Sequence, residues 1–143
     1  MITNRWFKGK KDLEEVILLR KEIFGEDSEQ DFYDEFSFNI GIYEEDEELV
    51  GIGRLLSKDG KFFIDNFGIK EKYRNKYYGD FMLRILIRKA SDIGIEKVYV
   101  KCKKDVVDFF KKLDFKEEKI KNSKYLLSRE GDISSGCCRW DYE

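Results

Sequence analysis

The stretch FFIDNFGIKEKYRNKYYGDFMLRILIRKASDIG, residues 62–94, decides the fold of this chain. Residues 62–69 have the composition of a strand, and the apolar run after Gly79 predicts a helix over 80–93 that ends at Gly94. Between them lies the short loop YRNKYYG, residues 73–79. A helix that begins after such a loop presents free backbone N–H groups, which favour an anion such as phosphate. Phosphate loops are usually rich in glycine, so two tyrosines in this one raise the question of whether it binds an anion.

The segments before this stretch predict further strands and helices. NRWFKG predicts a first strand, and KKDLEEVILLRKEIFG predicts a helix from its apolar residues at i, i+3 and i+4 spacing. SEQDFYDEF is expected to hold a short second helix with Ser28 as its N-cap. The run 38–69 predicts three strands, joined by an acidic tip at 45–47 and by the hairpin turn KDGK.

The segments after it complete the pattern. EKVYVKC predicts a strand that runs parallel to the preceding strand through a helical crossover, and DVVDFFKKLD predicts a helix with Asp105 as its N-cap. FKEEKIKNSKYLLSREGD and SSGCCRWDYE are expected to form a final antiparallel pair. The order β α α β β β α β α β β predicts an α+β layered fold, with a mixed, mostly antiparallel twisted sheet flanked by about four helices. We interpret residues 1–143 as a single domain.

The composition excludes several classes of protein and of site. Apolar and charged residues each make up 41% of the chain, which indicates a globular protein with a densely charged surface. No apolar run approaches the ~20 residues of a membrane span, and the first residues lack the apolar core of a signal peptide, so we expect a cytoplasmic protein without a membrane partner. Three cysteines and no histidine argue against a disulfide framework and against a mixed Cys/His zinc site. We therefore predict no metal.

The net charge of −2 is unevenly distributed along the chain. Residues 1–69 hold 9 basic and 17 acidic residues, and residues 70–124 hold 17 basic and 9 acidic residues. Opposite charge in two halves of one domain favours a cleft with an anionic ligand at one end and a cationic ligand at the other. An ordinary folded surface with no such meaning fits the same distribution equally well. Acidic residues also interrupt the lysines of 97–124, so a nucleic-acid partner is not expected.

Four segments together resemble the GNAT superfamily of acetyl-CoA-dependent N-acetyltransferases, in particular a branch of small bacterial members. They are LRKEIFGEDSEQDFYDEF, GIGRLL, FIDNFGIKEKYRNKYYG and FFKKLDF, in the order and spacing of that family. The resemblance covers about residues 2–140. It implies the GNAT fold, acetyl-CoA as co-substrate, and transfer of an acetyl group to a primary amine of a small molecule or peptide.

The resemblance also implies where the coenzyme binds. The family motif R/Q-x-x-G-x-G/A, whose backbone N–H groups hold the pyrophosphate, corresponds here to residues 74–79, with Arg74 and Gly79 matching and Tyr77 in place of the first glycine. A tyrosine fits there only if the backbone stays in an allowed region and the ring turns away from the phosphate. The expected cofactor-binding residues are Phe67, Gly68, Ile69, Arg74, Asn75, Lys76, Tyr77, Tyr78, Gly79, Asp80, Lys103 and Phe110.

The resemblance places the catalytic groups as well. Asp65 stands where relatives have a general base for the amine, and alternation puts it on one strand face with Phe63, Phe67 and Ile69. A proton path through water and a purely structural ion pair are alternatives for Asp65. A backbone N–H near Ile69 would stabilise the oxyanion. Phe110 occupies the position of the tyrosine that protonates the leaving thiolate in the family, so that acid is missing.

The sequence leaves the acceptor and the level of activity open. The second helix and the acidic hairpin YEEDEEL are expected to flank the acceptor, which favours a cationic amine. The missing tyrosine and glycine support an alternative, a catalytically weak CoA-binding protein with a sensing or regulatory role. The chain is expected to act as a monomer or a homodimer.

Overall fold

The computed structural model of the chain describes residues 2–8, 12–45 and 47–131. Seven strands and three α-helices follow one another along these residues, with three short 3₁₀ helices between them. The strands and α-helices are β1 (Thr3–Lys8), α1 (Glu14–Phe24), β2 (Phe38–Tyr43), β3 (Leu49–Lys58), β4 (Lys61–Ile69), α2 (Tyr78–Asp92), β5 (Lys97–Cys102), α3 (Val107–Lys111), β6 (Lys116–Lys121) and β7 (Lys124–Glu130). The 3₁₀ helices are Phe32–Phe36, Glu71–Tyr73 and Lys104–Val106.

The strands form one mixed sheet in the order β1-β2-β3-β4-β5-β7-β6. All neighbours are antiparallel except β4 and β5, which α2 joins as a crossover. The predicted α+β fold and its element order are confirmed. Among the described residues, no helix combines the length and the apolarity that a bilayer span requires.

The helices cover the two faces of the sheet. On the α2 face, Met82, Leu83 and Leu86 are fully buried against β2, β3, β4 and β5. On the α1 face, Leu13 and Val16 are buried against β1, β2 and β3. Burial of each large apolar side chain stabilises the fold by roughly 1.5–3 kcal/mol. Strand β3 lies between both layers and is buried from Leu49 to Leu56, which is why its sequence is almost continuously apolar.

Two predicted helix starts are wrong. The second helix is a 3₁₀ helix that begins after Asp31, not Ser28, because Asp31 accepts a hydrogen bond from the Tyr33 N–H at 2.9 Å and Asp34 accepts one from the Asp31 N–H. The last helix begins at Val107 after the 3₁₀ turn Lys104–Val106, without a side-chain cap from Asp105. Reciprocal side-chain bonds across three residues decide the first start, since a capping box satisfies two N–H groups at once.

The predicted final strand pair is also wrong. Strands β6 and β7 both come from FKEEKIKNSKYLLSREGD and form a hairpin around Asn122 and Ser123, whose φ angles are +51° and +64°. A turn with two positive φ angles matches the twist of an antiparallel pair, but its usual sequence is Asn-Gly. Strand β6 is exposed along its whole length, so it has no apolar alternation to mark it. The segment SSGCCRWDYE, with Cys137 and Cys138, lies outside the described residues.

Candidate active site

Strands β4 and β5 separate soon after they meet. Their parallel ladder joins only Phe62 with Val98 and Phe63 with Tyr99. Within the described ladder, residues 64–69 of β4 therefore have β3 on one side and no strand partner on the side of β5. Unpaired backbone N–H and C=O groups along a strand form a ready site for an extended ligand.

A bulge in β4 changes which side chains line this gap. Ile52 pairs with Gly68 and Arg54 with Asp65, so Asn66 and Phe67 together oppose Gly53, and Asn66 has a φ of +45°. One extra residue reverses the alternation of faces. Phe67 and Ile69 consequently pack on the α2 face, whereas Asp65 bonds to Arg54 on the α1 face. The prediction that Asp65 shares a face with Phe67 and Ile69 is wrong, and the bulge is the reason.

The sequence left open which backbone conformation the glycine-poor loop between β4 and α2 adopts. The structure answers this question. Tyr77 is the N-cap of α2 in the left-handed region (φ +67°, ψ 9°), and the residue is 84% exposed. The first helical bond runs from the Phe81 N–H to the Tyr77 carbonyl. The N–H groups of Tyr78, Gly79 and Asp80 therefore precede the first intrahelical donor. A left-handed residue followed by a helical one makes a concavity of N–H groups that suits an anion.

Arg74 and Gly79, the two residues that match the family motif, fix the geometry of the loop. The Arg74 Nε–H donates to the Ile69 carbonyl at 2.9 Å and ties the loop to the end of β4. A Cβ atom added to Gly79 would lie 3.4 Å from the Phe109 ring and 3.8 Å from Ile69. Any larger side chain at Gly79 would therefore push on the wall of the gap.

The charges around the loop are arranged to tolerate an anion. Asp80 accepts a hydrogen bond from Arg84 at 2.8 Å, so its negative charge at the helix start is balanced. Lys76 is exposed, with its ammonium 5.6 Å from the centre of the Tyr73 ring. Lys103 is exposed where β5 ends. Asn75 has a φ of +65° in the middle of the loop.

Four phenylalanines line the gap and its floor. Phe67 lies 5.8 Å from Phe109 and 6.0 Å from Phe110, and Phe110 lies 5.4 Å from Phe115, measured between ring centres. Phe110 is buried in the core, whereas Phe109 is partly exposed and faces Gly79. The sequence predicts Phe110 for contact with the coenzyme, but Phe109 is the more accessible of the two rings. The two are adjacent in the chain, and only the packing of the short helix α3 decides which ring is accessible.

Asp65 belongs to a network of ionic groups that joins four elements. The Arg54 Nε–H and Nη2–H donate to the two Asp65 oxygens at 2.8 and 2.9 Å, and Nη1 reaches Asp31 at 2.7 Å and Asp34 at 3.1 Å. Arg20 from α1 forms a second fork with Asp34 at 2.6 and 2.8 Å. Arg20, Arg54 and Asp34 are buried, while the carboxylates of Asp31 and Asp65 are 46% and 42% exposed.

The network shifts the pKa of its buried members. Burial would raise the pKa of Asp34, but hydrogen bonds from Arg20 and from the Asp31 N–H, with the charges of both arginines, hold that pKa well below its usual range. Burial would lower the pKa of Arg54, but its hydrogen bonds to Asp65 and Asp31 raise it. Both partners thus stay charged, and the network holds Asp65 in one orientation at the edge of the bulge.

The acidic hairpin between β2 and β3 lies beside the loop that precedes α2. Strands β2 and β3 meet in a turn at the edge of the sheet where β4 ends, since Gly51 pairs with Ile69. Glu48 accepts hydrogen bonds from Lys70 and Tyr73, and Glu44 accepts one from Tyr78. The hairpin lies there because an antiparallel β3 puts its start beside the end of β4. That it flanks the acceptor stays a prediction.

Other concavities and clusters lie apart from the gap. A concavity of about 520 Å³ lies between β1 and the start of α1, is lined by Arg5, Asp12 and Glu15 among others, and shares no residue with β4 or the loop. In the described ranges, no group of three or more Cys, Asp or Glu residues has the arrangement to hold a metal ion.

Comparison with known proteins identifies the family. The model of the Acetyltransferase (GNAT) family matches residues 9–115. The chain belongs to the GNAT acetyltransferase family. The family resemblance in its sequence is thus confirmed.

Several solved structures share the GNAT fold with this chain. The Escherichia coli protein ElaA superimposes with a TM-score of 0.79 at 17% identity, over 91% of this chain and 100% of the other. A GNAT acetyltransferase from Elizabethkingia anophelis, solved with acetyl-CoA bound, gives 0.75 at 18% identity over 91% and 98%. The ribosomal-protein-S18-alanine N-acetyltransferase of Escherichia coli gives 0.73 at 10% identity over 92% and 95%. At these identities the likeness shows the fold alone.

Proposed function

We propose that this protein is an N-acetyltransferase that moves an acetyl group from acetyl-CoA to a primary amine of a small molecule or peptide by direct attack. The observation that carries the proposal is the gap between β4 and β5, which leads from the bulge at Asn66 to the N–H groups at the start of α2. An extended thioester with a pyrophosphate at one end matches an unpaired strand edge that ends at a helix N-terminus. A cytoplasmic location, like the choice between monomer and homodimer, stays a prediction.

The residues of the gap fit this co-substrate. The pyrophosphate would accept hydrogen bonds from the N–H groups of Tyr78, Gly79 and Asp80, with Lys76 and Lys103 as exposed cations nearby. The pantetheine arm would follow residues 67–69 and pack on Phe109. Tyr77 fits because its backbone takes the left-handed conformation of a glycine while its ring faces solvent. Acetyl-CoA supplies the thioester carbonyl that the amine attacks.

The amine must lose a proton before it attacks, since a free alkylamine has a pKa near ~10.4. Asp65 stays our prediction for the group that binds the amine or accepts this proton. Its carboxylate is 42% exposed next to the bulge, and Arg54 fixes its position. Asp31 is held by the same guanidinium at 2.7 Å. Two partly exposed carboxylates on the α1 face favour a cationic acceptor there, and the exposed rings of Phe32 and Phe36 on the neighbouring 3₁₀ helix favour one with an apolar part.

The leaving thiolate receives no proton from α3. Phe110 is buried and has no hydroxyl, and the Tyr78 hydroxyl is committed to Glu44, which raises the pKa of Tyr78 through their hydrogen bond. General acid catalysis contributes roughly 10²–10⁴-fold. Since a thiol has a pKa near ~8.5, its anion leaves without help and turnover is slower but not lost. This observation also favours the second candidate function, a CoA-binding protein with weak catalysis and a sensing or regulatory role.

Calorimetry with CoA tests the proposal. Wild-type protein should bind CoA, and Gly79→Trp should lose at least tenfold in affinity because the indole must displace Phe109. Lys121→Trp, an exposed position on the edge strand β6, is the matched control and should bind normally. No binding by the wild type would refute the proposal, and full binding by Gly79→Trp would move the coenzyme away from this loop. Turnover of acetyl-CoA with a panel of amines then separates the enzyme from the weak CoA-binding alternative.

A further inference from the structure

The loop before α2 needs outside support to keep its conformation. Asn75 and Tyr77 both have positive φ angles of +65° and +67°, a region that favours glycine. Two such residues within three positions make this backbone conformation unfavourable for the loop by itself. Strained backbone persists only where the surrounding structure holds it. The contacts of the flanking residues therefore decide whether the N–H groups of the loop converge.

The hairpin between β2 and β3 supplies two of those contacts. Its turn is closed by bonds from the Glu44 N–H to the Glu48 carbonyl at 3.0 Å and from the Glu47 N–H to the Glu44 carbonyl at 2.9 Å. The Tyr73 hydroxyl donates to Glu48 at 2.7 Å, and the Tyr78 hydroxyl donates to Glu44. Tyr73 ends the 3₁₀ helix before the loop and Tyr78 begins α2. The same hairpin thus holds both ends of residues 74–77.

Further contacts make this arrangement one unit. The rings of Tyr73 and Tyr78 stack with 6.0 Å between their centres and 29° between their planes. Lys70 donates to the second oxygen of Glu48 at 2.9 Å. The hydrogen bonds from Lys70 and Tyr73 lower the pKa of Glu48, so its carboxylate is charged at neutral pH and accepts strong hydrogen bonds.

We propose that Glu44 and Glu48, through Tyr78 and Tyr73, are positioning residues for the acetyl-CoA loop and take over the role of the glycine that Tyr77 replaces. This inference rests on the proposed function, since it assigns the loop to the coenzyme. The two carboxylates touch no reacting atom; they hold the loop in the shape that binds the pyrophosphate. The acidic hairpin therefore contributes to the use of acetyl-CoA and not to the choice of amine.

Removal of one hydroxyl tests the inference. Tyr78→Phe should weaken CoA binding by about tenfold, because loss of a hydrogen bond to a charged acceptor is an effect of that order. The KM for acetyl-CoA should rise by the same factor, while the KM for the amine and kcat at saturating acetyl-CoA stay within about twofold. Tyr43→Phe is the matched control: it removes another phenol–glutamate bond, from Tyr43 to Glu15 at 3.1 Å on the α1 face, and should bind CoA normally.

Variants of Glu44 separate a positioning role from a charge effect. Glu44→Gln keeps an oxygen that accepts from Tyr78 and should retain most of the affinity, whereas Glu44→Ala should resemble Tyr78→Phe. Equal losses in Glu44→Gln and Glu44→Ala would overturn the inference. Wild-type protein that binds CoA while Tyr78→Phe binds it equally well would also overturn it and leave the proposed function intact. Wild-type protein that binds no CoA would overturn both.

Amide hydrogen exchange tests the same point without a ligand. In the free protein, Tyr78→Phe should speed exchange at residues 74–80 several-fold, and exchange in β3 and in the middle of α2 should not change. Tyr43→Phe should leave exchange at 74–80 unaltered. Unchanged exchange at 74–80 in Tyr78→Phe would show that the hairpin does not hold the loop.

Discussion

At the scale of the residue, Tyr77 shows that a tyrosine can take a backbone conformation that favours glycine. The residue adopts the left-handed conformation and leaves its ring in solvent, so that the side chain avoids the concavity of N–H groups. The cost of that conformation is roughly 1–2 kcal/mol for a residue with a Cβ atom. The sequence raised the question, and the answer depends on contacts made by Tyr73 and Tyr78 with a distant hairpin.

Two substitutions at Tyr77 measure that conformational cost. Tyr77→Ala should change the free energy of unfolding by less than about 0.5 kcal/mol, because an exposed ring contributes little. Tyr77→Gly should be more stable than Tyr77→Ala by about 1 kcal/mol, since only glycine adopts a positive φ without strain. Urea unfolding of the two variants gives the comparison. Equal stability of the two would contradict a left-handed residue at this position.

Asp65 and Asp31 form a matched pair for testing the general base. Each is partly exposed and bonds to Arg54, so both Asp65→Asn and Asp31→Asn remove a charge from the same guanidinium. We expect Asp65→Asn to lower kcat about 100-fold or more and to alter its pH profile, since a base contributes roughly 10²–10⁴-fold. Asp31→Asn should leave the pH profile unchanged. Identical pH profiles for wild type and Asp65→Asn would leave Asp65 with a structural role only.

At the scale of the element, one ionic network attaches the Phe32–Phe36 3₁₀ helix to the rest of the fold. The Asp34 carboxylate of this helix forms ion pairs with Arg20 of α1 and Arg54 of β3. The side chain of Asn39 in β2 donates a hydrogen bond to Asp34 and accepts one from Arg20. A five-residue helix has little stability of its own. Its place beside the bulge of β4 therefore depends on buried charges, and loss of Asp34 removes the carboxylate to which buried Arg20 donates two hydrogen bonds.

The pH dependence of stability tests this attachment. The pKa of Asp34 is lowered in the folded protein, so its stabilising contribution is fully present above the unfolded pKa of about 4 and is lost as the pH falls below that value. Asp34→Asn should lower the free energy of unfolding by about 3 kcal/mol at pH 7. It should also flatten the decline of that free energy between pH ~4 and ~2. Asp92→Asn, which breaks an exposed pair with Arg88, is the control and should cost less than about 0.5 kcal/mol. An unchanged acid decline in Asp34→Asn would contradict the shifted pKa.

At the scale of the whole molecule, the acidic and basic halves of the sequence do not form two separate ends. Glu48 of the acidic half bonds to Lys70 and lies near Lys72 of the basic half, beside the proposed phosphate site. Asp31, Asp34 and Asp65 surround Arg54 within the acidic half itself. The order of strands in the sheet, and not the order along the chain, therefore decides which charges lie together.

The sequence alone determined the element order, the mixed sheet and the family, because these depend on local periodicity and on a motif whose residues are close in the chain. It also predicted, from Arg74 and Gly79, a loop that precedes the start of α2. It misplaced the final hairpin, since Asn122 and Ser123 hide a turn that glycine usually marks. The correct predictions rest on the spacing of residues that are close in the chain, which a sequence displays directly.

Only the tertiary structure decided the make-up of the candidate site. The bulge at Asn66 reverses the faces of β4 and separates Asp65 from Phe67, and the packing of α3 exposes Phe109 and buries Phe110. The pairing of β3 with β4 places Glu44 and Glu48 beside the loop before α2. Each of these depends on contacts between residues far apart in the chain, whose energies no local pattern records.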